Sequence, residues 1–176
     1  MIVRGRVMAL PQANIDTDQM FPGRYLTLIS RQGFGKMLFE GLPGGRDMLD
    51  KHSGATILVT GENIGCGSSR EHAVWALQAR GFKAVIAPSF ARIFEENAYN
   101  NAFVLATVPA DAIEAVFASP YARLDVGAQV LTLADGTTIQ FTLDPLRKEF
   151  LLGGGFLSYM AAQIPTIRAW EAGAKR

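Results

Sequence analysis

The residues best placed to do chemistry lie in one run, Gly61-Glu62-Asn63-Ile64-Gly65-Cys66-Gly67-Ser68-Ser69-Arg70-Glu71-His72-Ala73. Glycines at 61, 65 and 67 let the backbone approach a ligand closely. Two hydroxyls and a guanidinium follow at once, and Arg70 can grip a carboxylate through two parallel hydrogen bonds. The run precedes a predicted helix, whose N-terminus offers free N–H groups and a partial positive charge to an anion. Together these features suit a small di- or tricarboxylate. Two other readings fit part of the run. Ser68-Ser69-Arg70-Glu71 also spells a capping box, with Ser68 as N-cap and Glu71 three residues on. Cys66 or Ser68 could act as a nucleophile beside His72, although such a pair needs a third orienting group and the chain has only two histidines. Against those roles, Cys66 reads as a small filler of a tight loop and His72 as a packed residue of a helix face. The phosphate-loop pattern Gly-x-x-x-x-Gly-Lys-Ser/Thr and the dinucleotide pattern Gly-x-Gly-x-x-Gly are both missing, which disfavours a nucleotide.

A second polar cluster is Asn14-Ile15-Asp16-Thr17-Asp18, followed by Pro22-Gly23-Arg24-Tyr25-Leu26. In an extended segment Asp16 and Asp18 share a face and could hold Arg24 or Arg70; either could instead cap a turn. Two carboxylates alone make no convincing metal site.

Alternating strands and helices must position these groups. Thr56–Thr60 and Ala84–Ala87 are short apolar, β-branched runs suited to buried strands, and Phe103–Val108 is a third. Between them the spacing predicts helices over about 69–80, closed by Gly81, and from a cap at Ser89 to about Asn100. Strand–helix–strand–helix–strand implies parallel pairing through crossovers. The N-terminus alternates like a strand, about 111–118 reads as a helix, and Val130–Leu133 and Thr138–Phe141 form a hairpin through Asp135-Gly136. Asp144-Pro145 starts a helix that ends at Gly153, and a short helix covers about 156–163. The expected fold class is α/β with a parallel βαβ core and antiparallel additions. One domain spans 1–164 and a peripheral tail spans 165–176. Glycines at 33, 35, 44 and 45 mark a long loop over 30–50 with at most one helical turn at 36–40, expected to be mobile because little packs against it.

Composition narrows the function classes. The 176 residues are 49% hydrophobic and 19% charged, which fits a single globular domain. Seventeen basic and sixteen acidic residues give a net charge of +1, so no bulk charge points to nucleic acid or a membrane surface. A single cysteine excludes an internal disulfide and a thiolate-built zinc or iron–sulfur site. No apolar run approaches the roughly 18 residues of a membrane span, and the N-terminus lacks a signal peptide's apolar core. A cytoplasmic location is expected.

Residues Gly65 to Ala73 resemble the signature of the swivelling domain of the aconitase superfamily. More narrowly, the chain is similar to the small subunits of 3-isopropylmalate dehydratases. Asn14–Met20, Arg31–Gly35 with Leu38-Phe39, Pro88–Phe94, and Leu143-Asp144-Pro145 with Lys148 agree in family order, over about residues 1–152. The resemblance implies a swivelling β/β/α domain and a reaction that dehydrates and rehydrates a 2-hydroxy diacid, most simply 2-isopropylmalate to 3-isopropylmalate in leucine biosynthesis. It also implies a [4Fe–4S] Lewis acid held by three cysteines of a large subunit, so that this chain is inactive alone. By position, Ser68 matches the family's base, Ser69 and Arg70 its carboxylate-binding pair, and Arg24 a second carboxylate-binding arginine. Gly65, Gly67, Asp16, Asp18 and His72 support them. Thr27-Leu28-Ile29-Ser30 falls in the loop that selects the substrate side chain. The chain departs from the family at Ile64, usually Phe, at Val74, usually Pro, and at Gly153–Met160. A paralogous hydratase for dimethylmalate, citraconate, maleate or homoaconitate, and a non-catalytic carboxylate-binding module, are the alternatives.

Overall fold

The structure is a computed structural model that describes residues 1–28 and 30–174. Ile29, within the proposed selecting loop, lies outside the described residues. One seven-stranded sheet organises the chain in the order β4-β3-β2-β1-β5-β6-β7. Strands β1 (Ile2–Leu10), β2 (Ala55–Thr60), β3 (Ala84–Ala87) and β4 (Val104–Thr107) run parallel. The residues of β3 are all buried, as expected for a parallel strand covered on both faces. On the other side of β1, strands β5 (Tyr121–Asp125), β6 (Val130–Leu133) and β7 (Thr138–Gln140) add antiparallel pairs. This is the α/β arrangement expected, with β5 as an unforeseen strand. Only Ala122 and Leu124 of β5 face the core, a pattern too short to stand out from sequence.

Two crossovers build the part that carries the site. Helix α4 (Glu71–Arg80) links β2 to β3 and buries Ala73, Val74, Ala76 and Leu77. It stops at Gly81, whose φ of 105° few other residues adopt. Helix α5 (Arg92–Asn100) links β3 to β4 and buries Phe94, Ala98 and Tyr99. Ser89 is not its cap: the helix starts three residues later, behind Ala91. The Ser89 hydroxyl instead accepts the N–H of Asn63 at 2.9 Å, tying the β3 loop to the β2 loop.

The third crossover, from β1 to β2, carries helices α1 (Thr17–Met20), α2 (Phe34–Met37) and α3 (Gly45–Lys51). The expected loose loop over 30–50 is therefore anchored. Phe34, Leu38, Phe39, Leu42 and Leu49 are buried in the main core. Gly35 lies so close to α4 that a Cβ there would stand 2.7 Å from the backbone of Ala79. Gly35 and Gly45 reflect tight packing, whereas Gly33 and Gly44 serve left-handed turns in open space.

Helix α6 (Ile113–Ala118) follows a 3₁₀ turn at Ala110–Ala112. Helix α7 (Pro145–Leu152) is capped by Asp144, whose carboxylate accepts the N–H groups of Leu146 and Arg147 at 3.0 and 3.1 Å. The short helix expected at 156–163 is instead the 19-residue α8 (Phe156–Ala174), which continues through Pro165 and past the expected domain boundary. A proline inside a helix removes one hydrogen bond but does not oblige the chain to end there. Among the described residues, no single helix is long and apolar enough to cross a membrane.

Candidate active site

The site forms where three loops leave the carboxyl ends of parallel strands, the place where α/β sheets bind ligands. Sheet-like pairing continues past the strands. Gly61 N–H donates to Gln12 O, Asn14 N–H to Glu62 O, Gly65 N–H to Ile15 O and Thr17 N–H to Cys66 O, at 2.7 to 3.1 Å. On the other flank Ala91 N–H donates to Ile64 O at 3.0 Å. Isolated parallel bridges join Asp16 to Cys66 and Ile64 to Phe90. Ile64 is fully buried at the centre of this lattice.

Gly65 and Gly67 turn the chain out of the lattice. Their φ angles are 80° and 89°, in the region that favours glycine. A Cβ on Gly65 would also stand 2.2 Å from Cγ of Phe94. The turn delivers Ser68 and Ser69 to the surface, both exposed. The Ser68 carbonyl is held by the Thr17 hydroxyl and by the Arg70 N–H, each at 2.9 Å. Among the described residues neither serine hydroxyl has a side-chain or backbone partner, so both are free to meet a ligand.

The capping-box reading of Ser68 and Glu71 fails. Helix α4 begins at Glu71, its N-cap is Arg70, and no side chain caps it. Glu71 Oε1 accepts the Asn101 side-chain amide at 2.5 Å instead. The first N–H groups of α4 are left without intrahelical partners, next to the Ser68–Arg70 segment.

Asp16 and Asp18 take different tasks, because the segment is helical rather than extended. Asp16 caps α1: its carboxylate accepts the Gln19 N–H at 2.7 Å while the Gln19 side chain accepts the Asp16 N–H at 3.0 Å. Asp18 forms an ion pair with Nη1 of Arg70 and accepts the Gly23 N–H at 3.1 Å. The hydrogen bond to Arg70 holds the Asp18 carboxyl below its usual range. The Arg70 side chain is only 15% exposed, so Asp18 fixes a largely buried guanidinium.

Arg24 does not meet Arg70's carboxylate. Its Nη2 lies 2.6 Å from Glu40, which also accepts the Tyr25 hydroxyl. The Tyr25 and Arg24 bonds keep the Glu40 carboxyl below its usual range. Thr27 and Leu28 are exposed beyond this cluster. His72 packs its ring among Phe21, Phe34 and Trp75, with centroids 4.8 to 5.8 Å away. Burial pushes its pKa below the usual imidazole value. No hydrogen bond joins it to Ser68 or Cys66 among the described residues, and the Cys66 thiol faces the Asn14 carbonyl at 3.5 Å. The geometry thus gives the hydrolase pairing no support.

Sequence reasoning missed Thr17, Phe94 and Glu40. Thr17 lay inside the Asn-Ile-Asp-Thr-Asp run, flagged for its carboxylates alone. The other two act through contacts at sequence distances no local pattern reports.

Residues 46–110 match the family model of the aconitase C-terminal domain. The chain is 41% identical to the 3-isopropylmalate dehydratase small subunit of Anaeromyxobacter dehalogenans, over 98% of this chain and 96% of that one. It is 42% identical to the small subunit of Roseiflexus castenholzii, over 97% and 92%. The chain belongs to the 3-isopropylmalate dehydratase small-subunit family. The crystal structure of 3-isopropylmalate dehydratase from Methanocaldococcus jannaschii superposes with a TM-score of 0.79 at 31% identity, covering 97% of this chain and 99% of that one. Members of this family are parts of an enzyme, and the small-subunit name implies a large partner. Aconitase-superfamily membership brings an iron–sulfur cluster to the enzyme. This chain's residues do not fit one: Cys66 is its single thiol, and among the described residues no three His, Cys, Asp or Glu side chains converge.

Proposed function

We propose that this chain is the small subunit of a hydro-lyase that isomerises 2-isopropylmalate to 3-isopropylmalate in leucine biosynthesis, and that it supplies the proton-handling half of a shared active site. The observation that carries the reading is the Gly65–Arg70 turn, with two unpartnered hydroxyls beside an arginine already fixed by a carboxylate. Ser68 takes the proton from the carbon next to a substrate carboxylate. A serine hydroxyl is too weak an acid to ionise unaided, so its alkoxide needs nearby positive potential. The open N–H groups of α4 and the Arg70 guanidinium are the sources beside it. Ser69 and Arg70 bind the substrate carboxylate, with Asp18 holding Arg70 in one rotamer so that less freedom is lost on binding.

Arg24 serves as a second carboxylate contact, presented by Glu40 and Tyr25, and Thr27 and Leu28 border the substrate's alkyl group. The cluster is assigned to the large subunit, since a single thiol cannot supply its cysteine ligands. The enzyme works in the cytoplasm on a small 2-hydroxy dicarboxylate, with no role for nucleic acid or membrane. The relatives at about 40% identity across nearly the full length share one substrate name, which favours isopropylmalate over a smaller diacid.

The test is anaerobic reconstitution with a cluster-loaded large subunit, following alkene absorbance with 3-isopropylmalate and then with smaller 2-hydroxy diacids. Turnover only in the mixture, fastest with 3-isopropylmalate, is expected. Faster turnover of a smaller diacid would overturn the substrate, and turnover by the large subunit alone would overturn the shared site.

A further inference from the structure

Three arginines lie over aromatic rings. The Cζ of Arg24 stands 4.8 Å from the centroid of Tyr25, and that of Arg147 stands 5.3 Å from Tyr99. Both also hold a carboxylate, Glu40 and Glu95, so each ring is the neighbour of an ion pair. Arg31 differs. Its Cζ lies 3.6 Å from the Trp75 centroid, the shortest of the three, and among the described residues no carboxylate pairs with it. The ring is its partner, and tryptophan is the side chain that attracts a cation to its face most strongly.

The Trp75 ring is held in place to receive it. Its Nε1–H donates to Oδ1 of Asn101 at 3.0 Å. The Asn101 amide donates in turn to Glu71 Oε1 at 2.5 Å and to the Asn97 carbonyl at 2.8 Å. His72 and Phe34 pack beside the ring, with centroids 4.8 and 6.5 Å away. Trp75 and Glu71 belong to α4, the helix that follows Arg70.

The segment that ends at Arg31 also begins against this helix. Gly23 donates its N–H to Asp18 at 3.1 Å, and a Cβ on it would stand 3.4 Å from Nη2 of Arg70. Tyr25 is then fixed by Glu40. Leu26, Thr27 and Leu28, which follow, are exposed. Beyond Arg31 the next buried side chain is Phe34. Without the stack, the span between supports would lengthen from Tyr25-to-Arg31 to Tyr25-to-Phe34. A longer span has more conformations to lose when its middle is held in one place.

We propose that Arg31, through its stack on Trp75, is a positioning residue that fixes Leu26, Thr27 and Leu28 relative to Arg70 and so sharpens the choice of substrate side chain. The inference rests on the proposed function in one respect, that Thr27 and Leu28 border the substrate's alkyl group. Arg31 acts through the segment and touches no substrate atom.

The test is Arg31→Lys, which keeps the charge and loses the planar guanidinium that stacks on a ring. The reconstituted enzyme is assayed with 3-isopropylmalate and with 3-methylmalate, which carries a methyl in place of the isopropyl group. The ratio of the two kcat/KM values should fall by about 2- to 30-fold, the range that such a contact is worth, mainly through a higher KM for 3-isopropylmalate. Trp75→Leu should lower the ratio equally, and the double variant no further. Should Trp75→Leu not fold, Arg31→Lys alone decides. Hydrogen exchange on the lone chain reads the stack without turnover: the Leu28 and Phe34 amides should exchange faster in Arg31→Lys while the buried part of α4 is unchanged. Unchanged exchange would show that the stack holds nothing and overturn the proposal. Faster exchange with an unchanged ratio would make Arg31 merely structural and overturn it as well. A wild-type complex that turns over neither diacid would overturn the proposed function, and the role of Arg31 with it, whereas an active wild type with an unchanged ratio in Arg31→Lys overturns this inference alone.

Discussion

Gly65 and Gly67 offer a test in which one residue serves as the control for the other. Both have left-handed φ, 80° and 89°, so alanine at either position carries backbone strain of about 1–2 kcal/mol. Their surroundings differ. A Cβ on Gly67 meets its nearest neighbour, Cβ of Asp16, at 3.5 Å, which is ordinary contact. A Cβ on Gly65 falls 2.2 to 2.7 Å from three carbons of Phe94, a buried ring on α5 that cannot swing clear. Overpacking of a core adds about 1–3 kcal/mol. Gly67→Ala should therefore cost about 1–2 kcal/mol and Gly65→Ala about 2–5 kcal/mol. For a domain of this size each kcal/mol lowers Tm by roughly 2–4 °C. The expected falls in a thermal melt are roughly 2–8 °C for Gly67→Ala and roughly 4–20 °C for Gly65→Ala. Equal shifts for the two alanines would show that the loop is not seated against α5. That result would remove the argument that Gly65 is there to place Ser68.

Three further outcomes follow from the site. Ser68→Ala should lower kcat of the reconstituted enzyme by roughly 10²–10⁴, the usual range for loss of a proton-transfer group, with the complex intact by gel filtration; near wild-type turnover would remove Ser68 as base. Arg70→Lys keeps the charge but loses the planar fork, so KM should rise by about tenfold or more while the melting temperature barely moves; an unchanged KM would sink the carboxylate role. Burial lowers the His72 pKa, so the folded state resists its protonation: the associated stability is full above the unfolded value of about 6.5 and is lost as pH falls through the lower folded value. His72→Phe should flatten the decline in Tm between pH 7 and 5, and identical pH slopes for the two proteins would contradict the packed, neutral reading.

Sequence revealed what local chemistry decides. Ala84–Ala87 is an apolar run flanked by Lys83 and Pro88, and it is strand β3 to the residue. Gly81 ends α4 and Asp144-Pro145 starts α7, because a left-handed stop and a capped start are set by the residues themselves. Local patterns misled where a distant partner outbid the near one. Ser68 and Glu71 have capping-box spacing, yet Thr17 holds the Ser68 carbonyl and Asn101 takes the Glu71 carboxylate. Ser89 looked like a cap for α5 and instead bonds Asn63 across two loops. The glycines of 30–50 read as slack, while Phe34, Leu38, Phe39, Leu42 and Leu49 anchor that segment in the core.

The same contrast explains why the candidate site was partly legible. Ser68, Ser69 and Arg70 stand together in sequence because one turn delivers all three, so their chemistry could be read before any fold was known. What makes the turn usable lies elsewhere. Asp18 orients Arg70 from the β1 loop, Thr17 fixes the Ser68 carbonyl from the same loop, and Phe94 forbids a side chain at Gly65 from beyond β3. Each reaches the turn across a neighbouring parallel strand. Parallel neighbours are joined by long crossovers, so these supports are necessarily distant in sequence. A close-spaced group of reactive residues therefore marks the surface proposed to meet the substrate, while the residues that hold it are scattered by the topology of the sheet. In this chain that held surface is open: Ser68 and Ser69 are exposed, and nothing among the described residues closes over them. Water must be kept from an alkoxide for it to act as a base at a carbon centre. A lone chain with this geometry cannot provide that shelter, and a second protein surface closing over Ser68–Arg70 can.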